Sequence, residues 1–160
     1  MSRRQLRPRQ KRDLPPADHM YNSVLISRFI NKLNFRGKKS LSERLFYSAL
    51  DIIKEKLNVP DPSKVFIQTL DNIRPLVEVK PRRIGGATYQ IPIEVQKERG
   101  ENLAMRWLIQ YARERKGVSM IQKLAEELIL GYKKEGSAIK KREDTHKMAD
   151  ANKAFAHYRW

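Results

Sequence analysis

Residues 76–95 read LVEVKPRRIGGATYQIPIEV, and they break the period of everything around them. Val77 and Val79 alternate with Glu78 and Lys80. Beyond Gly85-Gly86, Tyr89, Ile91, Ile93 and Val95 alternate with Thr88, Gln90, Pro92 and Glu94. A period of two on both sides of a Gly-Gly pair predicts a β-hairpin. Its register carries a parity conflict. A two-residue loop at 85–86 pairs Ile84 with Ala87 and sets Val79 against Pro92. Bringing Val77 and Val79 onto the face of Ile91 and Ile93 takes an odd loop or one extra residue, because a one-residue slip turns every side chain over. A bulge or irregular tip is therefore expected. A lone hairpin carrying Pro81 and Pro92 has no place in a large sheet. It reads as an arm projecting from a helical body.

On either side the period is 3.6. Ile26, Phe29, Ile30 and Leu33 share one helical face, and Gly37 closes that region. Ser40 and Glu43 have the spacing of a capping box opening a second helix, with Phe46, Ala49, Leu50, Ile53 and Leu57 as its stripe. Val59-Pro60-Asp61-Pro62 ends it, and Asp61 with Pro62 suits the N-cap and first turn of a third helix. That helix buries Val65, Phe66, Thr69, Leu70 and Ile73. After the hairpin, Leu103, Trp107, Leu108, Tyr111 and Ala112 mark a fourth helix. Ile121, Leu124, Ala125, Leu128 and Ile129 mark a fifth, stopped near Gly131 and Gly136. Segment 137–157 has few apolar members (Ile139, Met148, Ala149, Ala151, Ala154, Phe155) among many charges, so it reads as a surface helix that touches a partner. The expected fold is mainly α, one domain over 1–160. Its parts are a disordered basic arm at 1–18, three helices in 19–75, the hairpin at 76–96 and three more helices in 97–157.

Composition narrows the function. Thirty-four Lys and Arg against 18 Asp and Glu give a net charge of +16 over 160 residues, in a chain that is 40% hydrophobic. Such a chain folds, and its partner is a polyanion. Zero cysteines exclude a disulfide framework, a cysteine zinc site, an iron–sulfur cluster and a thiol nucleophile. No apolar run is long enough to span a bilayer. Gly37-Lys38-Lys39-Ser40 fails the phosphate-loop pattern, since Lys32 and Lys39 stand where it needs Gly and Ser or Thr. His146 and Asp150 share a helical face with no further ligand beside them, and read as solvated or core-edge groups. No nucleophile–base or metal motif stands out. The chain is not an enzyme, and no cofactor is expected.

The cations are clustered. Residues 1–12 hold Arg3, Arg4, Arg7, Arg9, Lys11 and Arg12 with no acid and no apolar segment behind them. That composition reads as an arm that orders on nucleic acid; a transit peptide and a plain solvated tail are the alternatives. Further clusters are Arg36, Lys38 and Lys39 between two helices, and Lys80, Arg82 and Arg83 on the hairpin. Arg113, Arg115 and Lys116 lie at a helix end, with Lys133-Lys134 and then Lys140, Lys141 and Arg142 near the last helix. A basic β-arm also suits a DNA-architectural protein, but that reading needs apolar wedges at the tip, where only Ile84 is available. A nuclease-type enzyme would need an acidic metal cluster.

Several runs carry a resemblance: the hairpin itself, Gly37-Lys38-Lys39-Ser40, Leu103-Ala104-Met105-Arg106-Trp107, Lys140-Lys141-Arg142-Glu143-Asp144-Thr145-His146, and ADANKAFAHYRW at 149–160. Together, and at these spacings, they resemble the small-ribosomal-subunit protein number seven family from end to end. The resemblance implies six helices with one long hairpin. It implies a primary binder of small-subunit ribosomal RNA that nucleates the head, the 3′ major domain. It also implies a seat at the subunit interface near the exit-site transfer RNA and the messenger exit channel. RNA-contacting regions then fall at Arg3–Arg12, Arg36–Lys39, Lys80–Arg83 and Arg113–Lys116, with Lys140, Lys141 and Arg142 as a further basic patch. Arg83, Ile84, Gly85, Gly86, Lys147 and Tyr158 would face the exit-site transfer RNA. Other head proteins and platform protein number eleven would be neighbours. The location would be a ribosome in the bacterial cytoplasm, a plastid or a mitochondrion. One departure is Pro81, which removes a backbone donor and puts pairing near the arm's stem in question.

Overall fold

The computed structural model describes residues 14–158, with side chains described through residue 157. The basic segment Arg3–Arg12 lies outside the described residues. The elements run α1 (Val24–Leu33), α2 (Lys39–Leu57), α3 (Pro62–Ile73), β1 (Val77–Ile84), β2 (Ala87–Glu94), α4 (Lys97–Glu114), α5 (Met120–Tyr132) and α6 (Ser137–Ala151), closed by a 3₁₀ helix at Lys153–Tyr158. The expected class holds: among the described residues, six α-helices carry one two-stranded antiparallel sheet.

The helical faces read from periodicity are the core. Phe29, Phe46 and Phe66 come from three different helices and are fully buried. Their ring centroids are 5.2 Å (Phe29–Phe46), 5.0 Å (Phe29–Phe66) and 5.1 Å (Phe46–Phe66) apart, with tilted or edge-to-face planes. Such pairs add about 0.5–1.5 kcal/mol each beyond the area they bury. α5 lies against α2, α3 and α4 and contributes Leu124, Ala125 and Leu128. Asp61 caps α3 as expected, its Oδ1 accepting from the Ser63 N–H at 3.0 Å with Pro62 in the first turn.

One helix boundary differs from expectation. α2 begins at Lys39 and no side chain caps it, so Ser40 sits inside the first turn and Ser40 and Glu43 form no capping box. The cause is the turn before it. Arg36 and Gly37 both take positive φ (53° and 77°), and Lys38 N–H bonds back to Phe35 O at 3.2 Å. This feeds the chain into the helix early. α5 stops at Tyr132, near Gly131 as expected, with that glycine as its penultimate residue. A Cβ there would fall 2.7 Å from Thr69 Cγ2 and 3.0 Å from Ile73 Cδ1, so the glycine permits close packing of α5 on α3. Buried Asn72 serves the helix end, its Nδ2 donating to the carbonyls of Gly131 and Tyr132 at 3.1 Å each. Lys134 and Gly136 at positive φ then turn the chain.

The hairpin is regular, and the expected bulge is absent. Val77 pairs with Glu94, Val79 with Pro92, Pro81 with Gln90 and Ile84 with Ala87, around a Gly85-Gly86 turn with φ of 56° and 88°. Glu78 and Ile91 therefore share the face turned to the body, and both are buried. Val77 and Val79 lie on the opposite face, half-buried. Glu78 is tolerated there because Arg99 of α4 grips it with two hydrogen bonds of 2.7 and 2.9 Å. Pairing runs unbroken through Pro81. Val95 N–H donates to Leu76 O at 2.8 Å, which fixes the alternation of hydrogen-bonded pairs and puts both Pro81 and Pro92 in non-hydrogen-bonded ones. Neither proline costs the ladder a bond.

α6 and the 3₁₀ helix pack along this hairpin, so it is a braced arm rather than a free one. The Phe155 ring packs against that of Tyr89, tilted by 55° with centroids 5.2 Å apart. Leu76 N–H, at the hairpin root, donates to His146 Nε2 at 3.0 Å, the core-edge role for that histidine. The segment expected as one helix over 137–157 is broken at Asn152, whose Nδ2 donates to Met148 O at 2.8 Å. α6 buries a thin stripe, as expected: Ala138, Ile139, Thr145 and Ala149.

Candidate nucleic-acid interface

α1 and α4 lie side by side, and a furrow runs between them. Its upper reach is lined by Gln96, Glu98, Arg99, Asn102, Leu103, Arg106 and Lys32, its middle by Lys32, Arg106, Ile109, Gln110, Arg113 and Glu114. Its lower reach passes Arg113 to Leu33, Phe35, Arg36, Lys38, Leu41 and Met120. Shared residues at each junction make the three one continuous surface. The furrow starts at the hairpin root, where Arg99 holds Glu78.

Along the furrow the cations Lys32, Arg36, Lys38, Arg99, Arg106 and Arg113 outnumber two carboxylates, Glu98 and Glu114. Burial pulls the Lys32 ammonium below the usual lysine range, and the neighbouring guanidiniums of Arg106 and Arg28 pull it further. Arg28 has a partner in Glu101 at 2.9 Å. Among the described residues, no carboxylate lies within ion-pair distance of Lys32, Arg36, Lys38, Arg106 or Arg113. Packing has brought cations together without matching acids. Such a surface is complementary to a phosphate chain, whose geometry fixed cations on helices can select.

The residues expected from sequence divide into three groups. Arg36, Lys38 and Arg113 line the furrow. Arg113 is positioned by donating to Leu33 O at 3.2 Å, which ties α4 to the end of α1. Lys39 stands beside them, exposed, with Glu43 3.8 Å away. A second group is exposed elsewhere: Lys80, Arg82 and Arg83 on β1, Gly85 and Gly86 at the tip with Ile84 half-buried, Lys116 after α4, and Lys140 and Lys147 on α6. Tyr158 ends the 3₁₀ helix. The third group is engaged in the fold. Arg115 bonds Glu127 at 2.7 Å and Glu126 at 3.2 Å, and Glu127 is almost fully buried. Arg142 donates to Asn72 O and lies 3.7 Å from Glu143. Lys141 is half-buried beside it.

Lys32, Arg99 and Arg106 were not singled out from the sequence. Each stands apart from the charge runs that sequence reading picks up. They become neighbours only when α1, α4 and the hairpin pack, 74 positions separating Lys32 from Arg106. The available signal was Arg106 inside Leu103–Trp107, one of the runs that carry the family resemblance. Among the described residues, no group of His, Asp and Glu could hold a metal ion, and no helix is long and apolar enough to cross a membrane.

Comparison with known proteins bears on this surface. A family model described as ribosomal protein S7p/S5e matches residues 2–153. The chain belongs to that family. It is 59% identical to the small ribosomal subunit protein uS7 of Endomicrobium trichonymphae, with both chains covered completely. It is 55% identical to the protein of that name from Elusimicrobium minutum, again over the whole of both. Against the one from Thermotoga neapolitana it is 53% identical, over 94% of this chain and 96% of the relative. Membership of the S7p/S5e family makes the chain a ribosomal protein, not an enzyme, and gives the unmatched cations of the furrow a ribosomal setting.

Proposed function

We propose that this S7p/S5e protein binds small-subunit ribosomal RNA through the α1–α4 furrow, and by doing so nucleates folding of the head, the 3′ major domain. The observation that carries the reading is that Lys32, Arg36, Lys38, Arg106 and Arg113 line one furrow and, among the described residues, none of them has a carboxylate within ion-pair distance. The exposed cations Lys39, Lys80, Arg82, Arg83, Lys116 and Lys140 extend the contact along the hairpin and the helix ends, with Arg3–Arg12 as a further arm. Arg115 and Arg142 support the surface from within, through their bonds to Glu127 and Asn72. The hairpin tip, Arg83–Gly86, together with Lys147 and Tyr158 at the braced end of the molecule, faces the exit-site transfer RNA. The messenger exit channel, platform protein number eleven and other head proteins lie nearby. The relatives named above come from bacteria, which favours a bacterial cytoplasmic ribosome over an organellar one. The arrangement is a single binding unit, with the hairpin continuous with the body.

The test is chemical footprinting of the full chain on a transcript of the 3′ major domain, alongside sedimentation with small subunits. Protection of a helix junction, lost in Lys32→Met and Arg106→Gln, is the expected result. Protection unchanged in both variants would remove the furrow from the interface.

A further inference from the structure

Phe35 is a large apolar side chain with no place in the core. It is 63% exposed, in the turn between α1 and α2. Its ring has two cations beside it: the Arg36 guanidinium carbon lies 5.2 Å from the ring centroid and that of Arg113 5.9 Å. Beside it opens the lower reach of the furrow, a groove of about 530 Å³ lined on its apolar side by Leu33, Leu41, Leu45 and Met120. Arg36, Lys38 and Arg113 are its charged members, and no carboxylate lines it. That volume is within the range of small-ligand sites, roughly 300–1,000 Å³.

An apolar slot with an aromatic wall and a purely cationic rim has a specific complement. The occupant needs a flat apolar body and negative charge on its flanks. A nucleobase turned out of its stack offers both, with a π face for the ring and phosphates on either side. We propose that this groove receives one unstacked nucleobase of the bound RNA, held against Phe35 and its guanidinium neighbours, with Arg36 and Lys38 on the adjoining phosphates. The proposal rests on the RNA-binding reading above and adds a base-recognition point to a surface otherwise suited to phosphates alone.

The site exists before any ligand arrives. Phe35 is held by a turn closed by the Lys38 N–H to Phe35 O bond of 3.2 Å, with Arg36 and Gly37 locked at positive φ. Arg113 is fixed by its bond to Leu33 O. Arg36 at φ 53° is a conformation that costs a non-glycine residue free energy. The turn holds Phe35 and Arg36 outward, where they serve binding and not packing.

The experiment measures affinity of the full chain for a transcript of the 3′ major domain across a salt series, with Phe35→Leu, Phe35→Trp and Lys32→Met. Phe35→Leu is expected to weaken binding about tenfold, the effect of losing one base–aromatic stack. The slope of log affinity against log salt should stay unchanged, because no phosphate contact is lost. Phe35→Trp should hold wild-type affinity, and both variants should melt like the parent, since the side chain is exposed. Ultraviolet cross-linking should join Phe35 to one nucleotide in an unpaired stretch. Wild-type affinity for Phe35→Leu, with Lys32→Met weakened, would overturn the base site and leave the furrow standing. A cross-link from Phe35 to a neighbouring protein in purified small subunits would also overturn it. Loss of all RNA affinity in the parent chain would defeat the RNA reading itself, a result distinct from a silent Phe35.

Discussion

Asp18 organises the entry to the body through one carboxylate. Its Oδ2 accepts from the N–H groups of Met20 (3.1 Å) and Tyr21 (3.0 Å) and from the Tyr47 hydroxyl (3.2 Å), and its Oδ1 from Ser23 N–H at 2.9 Å. The chain before α1 is thereby tied to α2. Burial pushes the carboxyl pKa up, but the bonds from Tyr21, Ser23, Met20 and Tyr47 outweigh it and leave the group below its usual value of 3.8. A lowered folded-state pKa means a contribution fully present above the unfolded value and lost as pH falls through the folded one. Asp18→Ala should therefore cost about 1–3 kcal/mol in urea melts near neutral pH. The gap from the parent should narrow only below pH 3.8. A gap that is already small at neutral pH would show the bonds to be idle. Gly131→Ala probes the close contact of α5 with α3. The new methyl meets Cγ2 of Thr69 at 2.7 Å, on a short, β-branched and fully buried side chain with little room to give. A loss of about 1–3 kcal/mol is expected from overpacking, where a helix-stop glycine would gain from alanine. Neither role was legible in the sequence. Asp18 has partners two, three, five and 29 residues away, with no local pattern to mark them. A glycine has the same letter whether it ends a helix or admits a neighbour.

At the scale of elements, the buried faces were legible and one register was misread for an identifiable reason. Alternating valines signal burial and point Val77 and Val79 inward. Two prolines constrain the register more strongly. In an antiparallel pair the hydrogen-bonded and non-bonded positions alternate on both strands, and a proline fits only the latter. Pro81 and Pro92 satisfy this together only when the loop has an even number of residues. An odd loop forces one of them into a bonded position. The regular two-residue turn is the solution that keeps every bond, and it puts Glu78 inward, where Arg99 neutralises it. This yields a paired test. Pro81→Ala should leave stability within about 0.5 kcal/mol, since its N–H would point away from β2. Lys80→Pro, one position earlier in a bonded pair with Ile91, should speed amide exchange throughout the hairpin while the helical core stays protected. Equal effects from the two substitutions would refute the assigned alternation. The brace of α6 against the hairpin was the part sequence could not supply, because Tyr89–Phe155 and Leu76–His146 join segments more than 60 residues apart.

For the whole molecule, the net charge of +16 stated the class of partner but not where it binds. Charge runs pointed to the turn at Arg36–Lys39 and the hairpin, and both are exposed. They also pointed to Arg115 and Arg142, which packing has engaged with Glu127 and Asn72. The furrow itself is a product of folding, since Lys32 and Arg106 meet only when α1 lies on α4. A surface of crowded like charges is a cost carried by the free protein and relieved by the ligand, and stability and binding should therefore respond in opposite directions to its removal. Lys32 is the place to measure this. Its folded-state pKa is lowered, so at neutral pH, where it is charged in both states, it opposes folding. That opposition is relieved only as pH rises through its folded value toward 10.5. Lys32→Met keeps the apolar stem along the furrow and removes the charge. Denaturant melts at neutral pH should show stability equal to or greater than the parent, with the advantage fading in strongly alkaline buffer. Affinity for the 3′ major domain transcript should fall, and the slope of log affinity against log salt should flatten by roughly 0.7–0.9, the share of one phosphate contact. A variant that loses stability and keeps its salt slope would mean that Lys32 serves the fold, and that the furrow is a solvated face and not the site of RNA contact.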